Sequence, residues 1–256
     1  MMKKTIFAVI LSIVIFSQYV AAQGAYNGVV VVCDIDDTYK ITNTTSKFSS
    51  VINALFSSRT FGGMNELLLG MNARGAQIYF LSNSPKVLKR RIIKLLKENQ
   101  IEFGGLFLRK TGEDGISHKI TVLTSMIDTC SRQSFILIGD DSENDPLIYD
   151  SIKHLYPENI EAIYIHHIKG KNLRTFYRFY SAVDIAYYES IVGRMNDVGT
   201  EKILDAVMAS ELHSVFPDYI VFDEKLILSD VAGCFDRHCL SKNKTIEWLI
   251  DCWYKQ

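Results

Sequence analysis

The strongest constraint on the fold is the alternation of short apolar runs with longer amphipathic stretches. The first run, Val29–Val32, consists only of valine, which is typical of a strand buried on both faces. Similar runs follow at Ala76–Leu81, Leu106–Leu108, Phe135–Ile138 and Ala162–Ile165. Strands that alternate with helices favour a parallel sheet with right-handed crossovers. The sequence therefore predicts an α/β fold with helices on both faces of a parallel sheet.

The stretches between these runs carry helical patterns. In Pro85–Glu98, apolar residues recur on one face, with Ser84 as the predicted N-cap and Pro85 at the first helical position. His118–Met126 and Asp145–Leu155 predict two further helices.

Two segments interrupt the alternation. Residues 39–75 predict a small helical insertion after the first strand, above the strand ends. Residues 181–256 no longer alternate and predict a mostly helical C-terminal extension. We therefore expect one α/β domain over residues 23–180, followed by this extension.

The N-terminus has the three-part layout of a secretory signal peptide. Two lysines precede the apolar run Thr5–Phe16, and Val20-Ala21-Ala22 offers small residues for cleavage before Gln23. We expect residues 1–22 to direct export, which would place the protein in the periplasm or outside the cell. An uncleaved membrane anchor is the alternative, although the run is short for a spanning helix.

The charge and the cysteine content of the chain exclude few classes of function. The net charge of −1 gives no overall field that would favour nucleic acid as a partner. Five cysteines lie after the predicted signal, so at least one is unpaired, and Cys33 is expected to be a buried thiol. Near the C-terminus, two of the three cysteines Cys234, Cys239 and Cys252 could pair in a disulfide. Together with His238 they could instead, less readily, bind zinc. The pairing of these cysteines and of Cys130 stays open.

The stretch that carries chemistry is the end of the first strand. Val29–Cys33 runs directly into Asp34, Asp36 and Asp37. Ligand sites in open α/β sheets lie outside the carboxyl ends of the strands. Asp34 and Asp36 are two residues apart, so an extended backbone projects both carboxylates the same way. Clustered acids at a core edge need a cation or another partner.

Two further strand ends carry polar residues. Ser82, after the second apolar run, can donate a hydrogen bond to a phosphate group. Asp140 and Asp145 follow the fourth run, and with Asp34 they could supply the oxygen ligands that magnesium prefers. Asp145 could instead cap the next helix. Lys119 is the natural cation to offset phosphate charge.

The order of these motifs resembles the haloacid-dehalogenase pattern. In that pattern Asp-x-Asp-x-Thr comes first, followed by Ser, then by Lys, and then by a late acidic loop. Four stretches are similar to the catalytic domain of phosphatidate phosphatases of the actin-patch-protein type: Asp34–Lys40, Leu81–Pro85, Gly139–Tyr149 and Ala162–Ile165. The resemblance covers about residues 28–170 and implies a Rossmann-like core, Mg²⁺, and hydrolysis of phosphatidate to diacylglycerol.

The resemblance also implies roles for residues. Asp34 would be the nucleophile, Asp36 the general acid/base and Lys119 the charge neutraliser. Phosphate binding would fall to Ser82, Asn83 and Thr38. The metal would be held by Asp34, the backbone carbonyl of Asp36, Asp140 and Asp145.

The chain also departs from that family. Asp141 stands where a small residue is usual after Gly-Asp, and His166-His167 stand where basic and acidic residues are common. The metal site is hardly affected, but the substrate stays open between phosphatidate and a soluble phosphomonoester. Two further alternatives stay open. The protein could be a non-catalytic module that binds phosphate or lipid, or an exported effector whose C-terminal helices bind another protein.

The predicted helix Pro85–Glu98 is rich in basic residues: Lys86, Lys89, Arg90, Arg91, Lys94 and Lys97. Such a helix could lie against anionic lipid head groups, which would be a peripheral membrane contact. A solvated face of a helix that covers the sheet has the same pattern, and the sequence alone favours it.

Overall fold

The computed structural model of the protein describes residues 26–42, 59–169 and 176–220. The predicted signal peptide at residues 1–22 and the C-terminal cysteine group lie outside these residues. Residues 43–58, which belong to the predicted insertion, also lie outside them.

The centre of the molecule is a six-stranded sheet. Its strands are β1 (Val29–Cys33), β2 (Gln77–Pro85), β3 (Gly105–Arg109), β4 (Ser134–Asp140), β5 (Ile160–His166) and β6 (Tyr177–Phe179). Their order is β3-β2-β1-β4-β5-β6, and each neighbouring pair is parallel. The predicted parallel α/β architecture is confirmed. The chain winds outward from β1 on both sides, so the topological switch point lies between β1 and β4.

Seven α-helices and one 3₁₀ turn are formed by the described residues. They are α1 (Met64–Ala73), the 3₁₀ turn Lys86–Leu88, α2 (Lys89–Glu98), α3 (Gly115–Thr129), α4 (Asp145–Leu155), α5 (Ala182–Ile191), α6 (Asp197–Ala209) and α7 (Leu212–Val215). The last three show that the described part of the C-terminal extension is helical. None of the helices in the described ranges combines the length and hydrophobicity that crossing a membrane requires.

Each face of the sheet has its own apolar core, which explains why the first strand is continuously apolar. Val29, Val31 and Cys33 pack in one core with residues of α1, α2, α5 and α6. Val30 and Val32 point to the other face, where residues of α3 and α4 cover them. Because successive side chains of a strand alternate between faces, both sets must be apolar.

The region after β2 differs from its prediction. The strand continues through Ser82 to Pro85, with an irregular register against β3 between these two residues. A 3₁₀ turn follows, and its N-cap is Pro85 with no side-chain cap. The prediction of Ser84 as a helix cap is therefore wrong, because its hydroxyl donates to a carboxylate of the site instead.

The described part of the insertion, α1, covers the sheet. Its buried residues Met64, Leu67, Leu68 and Met71 belong to the core that contains Val31. Among the described residues, α1 is therefore the helix that links β1 to β2.

A buried carboxylate ties α5 to the sheet. Glu189 is fully buried and accepts hydrogen bonds from the hydroxyls of Tyr26 at 2.8 Å and Tyr164 at 2.5 Å. The Arg194 guanidinium donates to both of its oxygens, at 2.6 and 2.8 Å. These bonds hold the first helix of the C-terminal extension against β5. The domain boundary near residue 180 stays a prediction.

Candidate active site

The acidic residues meet at the carboxyl edge of the sheet, beside the switch point. Asp34 directly follows β1, and its amide donates to the carbonyl of Ile138 in β4 at 2.8 Å. Asp140 is the last residue of β4, and Asp145 is the first residue of α4. One oxygen from each of these three carboxylates lies within 4.8 Å of the others. The structure therefore brings together acids from separate segments, as the sequence predicted.

Lys119 lies among these acids. Its ammonium nitrogen is 2.8 Å from Oδ1 of Asp34 and 2.5 Å from Oδ1 of Asp145. α3 carries Lys119 and is fixed at its start by Asp114, whose carboxylate accepts the amide of Ser117 at 2.8 Å. All four side chains are buried. With all three carboxylates ionised, the one ammonium would leave two negative charges in a site shielded from water.

The electrostatics of the site reflect this excess. Burial, together with repulsion from Asp145, Asp140 and Asp36, holds the pKa of Asp34 well above its usual range despite Lys119. Burial and repulsion from Asp145 also raise the pKa of Asp140 well above its usual range. Burial alone would lower the pKa of Lys119, but attraction to Asp145 and Asp34 raises it well above normal, so the lysine stays charged. A divalent cation would compensate the remaining charge.

The donor set fits a hard divalent ion. All three candidate side chains offer carboxylate oxygens, which Mg²⁺ prefers over nitrogen or sulfur. Among the described residues, Oδ2 of Asp145 is buried without a hydrogen-bond partner. Such an oxygen is costly unless something binds it. Gly139 leaves room for the Asp145 carboxylate in this position, because a Cβ there would collide with it. Asp34, Asp140 and Asp145 could therefore hold a metal ion.

Asp36 lies next to this cluster and is half-buried. Its Oδ2 accepts hydrogen bonds from the hydroxyls of Ser84 at 2.6 Å and Ser82 at 3.1 Å. Burial raises the pKa of the Asp36 carboxyl, although these two hydroxyls and Lys40 partly oppose the rise. A raised pKa keeps a carboxyl protonated at higher pH, which suits a general acid.

The predicted phosphate-binding residues form hydrogen bonds with acids at this edge of the sheet or with the loop between them. Ser82 lies on β2 beside β1, within hydrogen-bond distance of Asp36. Thr38 donates its hydroxyl to Oδ2 of Asp140 at 3.1 Å. Asn83 donates to Oε2 of Glu143 at 3.0 Å. Ser82 and Thr38 therefore contact acids of the site, whereas Asn83 contacts the loop between Asp140 and Asp145; the binding of phosphate by all three stays a prediction.

Nothing in the sequence indicated how the loop after β1 is held in place. Asp37 has a left-handed backbone with φ of 56°, which is unusual for a residue other than glycine. Its Oδ1 accepts the amide and hydroxyl of Thr42, each at 3.0 Å, and the hydroxyl of Tyr219 at 2.7 Å. Its carbonyl accepts Nδ1–H of the buried His166 at 2.8 Å. Asp37 therefore fixes the loop that follows Asp34 and Asp36.

We expect Tyr219→Phe to lower kcat/KM about three- to tenfold with little change in Tm. A hydrogen bond to a charged group is worth about 1.5–3 kcal/mol, but Thr42 and His166 still hold Asp37. Steady-state kinetics and thermal unfolding measure the two effects. Tyr156→Phe is the matched control, because Tyr156 donates to Asp128 at 2.9 Å in the same way on the protein surface. Equal kcat/KM values for both variants would contradict the positioning role of Tyr219.

The departures noted in the sequence have structural roles. Oδ1 of Asp141 accepts the amides of Ile168 at 2.7 Å and Lys169 at 2.6 Å. The Asp141 carboxylate therefore stabilises the chain after β5, and it is not one of the three clustered carboxylates. His166 stacks on Phe179 with ring centroids 4.7 Å apart, so it belongs to the apolar support below the site.

Comparison with known proteins matches the same region. The family model for the catalytic domain of phosphatidate phosphatase APP1 matches residues 29–167. The phosphatidate phosphatase APP1 of Saccharomyces cerevisiae is 26% identical over 150 residues, which is 54% of this chain and 26% of that protein. The uncharacterized protein C29B5.04c of Schizosaccharomyces pombe is 27% identical over 151 residues, or 54% of this chain and 25% of that protein.

The chain thus matches only about a quarter of the length of these two relatives. A solved structure of the Pnkp1/Rnl/Hen1 complex is similar with a TM-score of 0.40 and 19% identity, covering 54% of this chain and 46% of that one. The family model spans more than half of the chain and includes every residue of the carboxylate cluster. The chain belongs to the family of the phosphatidate phosphatase APP1 catalytic domain.

Proposed function

We propose that this protein is a Mg²⁺-dependent phosphatase that forms an aspartyl-phosphate on Asp34 and hydrolyses phosphatidate to diacylglycerol and phosphate. The family supports a phosphoric monoester hydrolase, and the printed name of the yeast relative supports a lipid phosphate as substrate.

One observation carries the proposal. The carboxylates of Asp34, Asp140 and Asp145 converge within 4.8 Å, with Lys119 bonded to two of them. A phosphoryl group brings further negative charge, so it needs cations at the position where it reacts. Lys119 supplies one positive charge there, and the three carboxylates supply ligands for a metal.

In the first step, an oxygen of the Asp34 carboxylate attacks phosphorus and forms the aspartyl-phosphate bond. The bond from phosphorus to the glycerol oxygen of the lipid breaks. Asp36 donates its proton to this departing oxygen, so that diacylglycerol leaves as a neutral alcohol. The raised pKa of Asp36 supports its protonated form before this step.

In the second step, water hydrolyses the intermediate. Asp36, now a carboxylate, takes a proton from the water while the water oxygen attacks phosphorus. The bond between phosphorus and Asp34 breaks, which returns the Asp34 carboxylate and releases phosphate. Ser82 and Ser84 hold the Asp36 carboxyl in place during both transfers.

The metal would be held by Asp34, Asp140 and Asp145, and we propose that the backbone carbonyl of Asp36 also contributes. When bound, Mg²⁺ would supply charge stabilisation to the phosphoryl oxygens. Lys119 favours the ionised form of Asp34 that attacks, because it places a positive charge 2.8 Å from the Asp34 oxygen and opposes the effect of burial.

A phosphate-release screen tests the proposal. We expect Mg²⁺-dependent release of phosphate from phosphatidate in mixed micelles, abolished by a chelator and restored by added Mg²⁺. Soluble phosphomonoesters, such as a sugar phosphate and a nucleotide, form the second arm. Activity on the soluble esters alone would replace phosphatidate as the substrate, and binding without turnover in either arm would refute the enzymatic role.

Location belongs to the proposal as well. We propose that residues 1–22 direct export to the periplasm or beyond the cell. Support comes from the lysines, the apolar run and the small residues of this segment alone.

A further inference from the structure

The exposed face of α2 and the preceding turn concentrates positive charge. All six of its basic side chains are exposed: Lys86, Lys89, Arg90, Arg91, Lys94 and Lys97. We call these residues the basic face. Glu98 is the acidic residue of this segment, 3.6 Å from Lys94 in an exposed pair. The whole chain, in contrast, has a net charge of −1.

This arrangement is unfavourable for a helix that is merely solvated. Lys89, Arg90 and Arg91 occupy the first turn of α2, and no acid is present there. Cations at a helix N-terminus oppose the helix dipole. Arg90 and Lys94 are like charges four residues apart, which also destabilises a helix. An anionic partner would convert this local cost into attraction.

Two exposed apolar side chains follow the carboxyl ends of strands β2 and β4. Val87 follows β2 and is 77% exposed, while Leu147 is 60% exposed and lies two residues after Asp145. β2 and β4 are the two neighbours of β1, so these residues follow the strands on either side of the one that leads to Asp34. Apolar side chains beside basic ones are typical of a surface that enters the interface of a bilayer.

The basic face begins close to the catalytic loop. The backbone of Lys40 pairs with the backbone of Asp36 in a single β-bridge. Arg91 lies near enough to Lys40 for their two positive charges to repel each other. The start of α2 therefore borders the loop that carries Asp36.

We propose that the basic face, together with Val87 and Leu147, docks this edge of the protein onto an anionic lipid bilayer. Charge complementarity identifies the partner, and the two apolar side chains favour a bilayer over a purely polar polyanion. The proposal rests on the proposed function in one respect, because docking in this orientation would present the site to lipid phosphates.

Vesicle co-sedimentation of the full-length protein tests the docking. The vesicles contain phosphatidylcholine alone or with phosphatidylserine, and no phosphatidate, so that occupancy of the active site plays no part. The test variant is Lys89→Glu with Arg90→Glu. Acidic residues are favourable in the first turn of a helix, so this variant is expected to fold. The matched control is Arg132→Glu with Lys202→Glu, which makes the same charge change at exposed positions elsewhere.

We expect the wild-type protein to prefer anionic vesicles and to lose binding as salt is raised. The test variant should lower the partition coefficient about 30-fold, whereas the control should change it far less. An equal loss in both variants, or no preference of the wild-type protein for anionic vesicles, would overturn the docking surface.

Hydrolysis of a soluble phosphomonoester separates this proposal from the proposed function. Neither charge-reversed pair belongs to the catalytic site, so both variants should hydrolyse it at the wild-type rate. Vesicle binding without turnover of any ester would leave docking supported and the phosphatase refuted. Turnover without a preference for anionic vesicles would support the phosphatase and refute the docking surface.

Discussion

Asp34→Asn is expected to abolish turnover, with a loss on the order of 10⁴-fold or more. An amide does not attack phosphorus as a carboxylate does, so the covalent step has no nucleophile. The variant should stay folded, because burial and neighbouring acids already raise the pKa of Asp34 and a neutral amide relieves their repulsion. Phosphate release measures turnover, and thermal unfolding measures the fold.

Asp205→Asn provides the control for this substitution. Asp205 is exposed on α6, so the same chemical change should leave kcat and Tm near wild-type values. A folded Asp34→Asn protein that still releases phosphate in a Mg²⁺-dependent manner would refute the nucleophile assignment.

Lys119→Met is expected to lower kcat by on the order of 10³-fold or more. The variant keeps the length of the side chain but leaves Asp34 and Asp145 without their shared ammonium. Removing one partner of a buried pair also costs about 3–5 kcal/mol of stability near neutral pH. The matched control is Lys153→Met, because Lys153 donates to the backbone carbonyls of Pro157 and Ile160 rather than to a carboxylate.

The stability loss in Lys119→Met should depend on pH. Without the lysine, the pKa values of Asp34 and Asp145 rise further above the value of about 3.9 in the unfolded chain. The folded protein then binds more protons than the unfolded chain, so stability falls as pH rises from about 4 toward the folded pKa values. The loss should therefore be smallest at acid pH, as measured by denaturant unfolding at several pH values. A loss that is constant with pH would contradict the paired arrangement.

The sequence predicted the sheet and its acidic edge because their signals are local. A run such as Val29–Val32 is apolar on both faces only if helices cover both sides, which the two cores confirm. Parallel strands bring their carboxyl ends to one edge, so Asp34 and Asp140 had to lie near each other once the strands were correctly placed.

Ser84 was misassigned because the end of β2 was placed too early. The pattern Ser-Pro is typical of a helix start, yet the strand continues to Pro85. Ser82 and Ser84 are two residues apart, and in an extended chain this spacing turns both hydroxyls toward Asp36. The period of two was therefore the signal that would have identified Ser84.

Other features had no local signal. β6 has three residues, and one of them is Arg178, so neither its length nor its hydrophobicity marks a strand. Tyr219 reaches Asp37 from 182 residues away in the chain, which only tertiary packing determines. The left-handed backbone of Asp37 was equally hidden, since the residue looked like one more acid of the cluster.

Mapping the phosphorylated residue tests the central claim most directly. Wild-type protein with Mg²⁺ would be mixed with phosphatidate, quenched in acid within the first turnover, digested and analysed by mass spectrometry. Our account predicts an acid-stable, base-labile phosphate on Asp34, and none when Asp34 is replaced by Asn. A phosphate on another residue, or turnover that persists without Asp34, would contradict it.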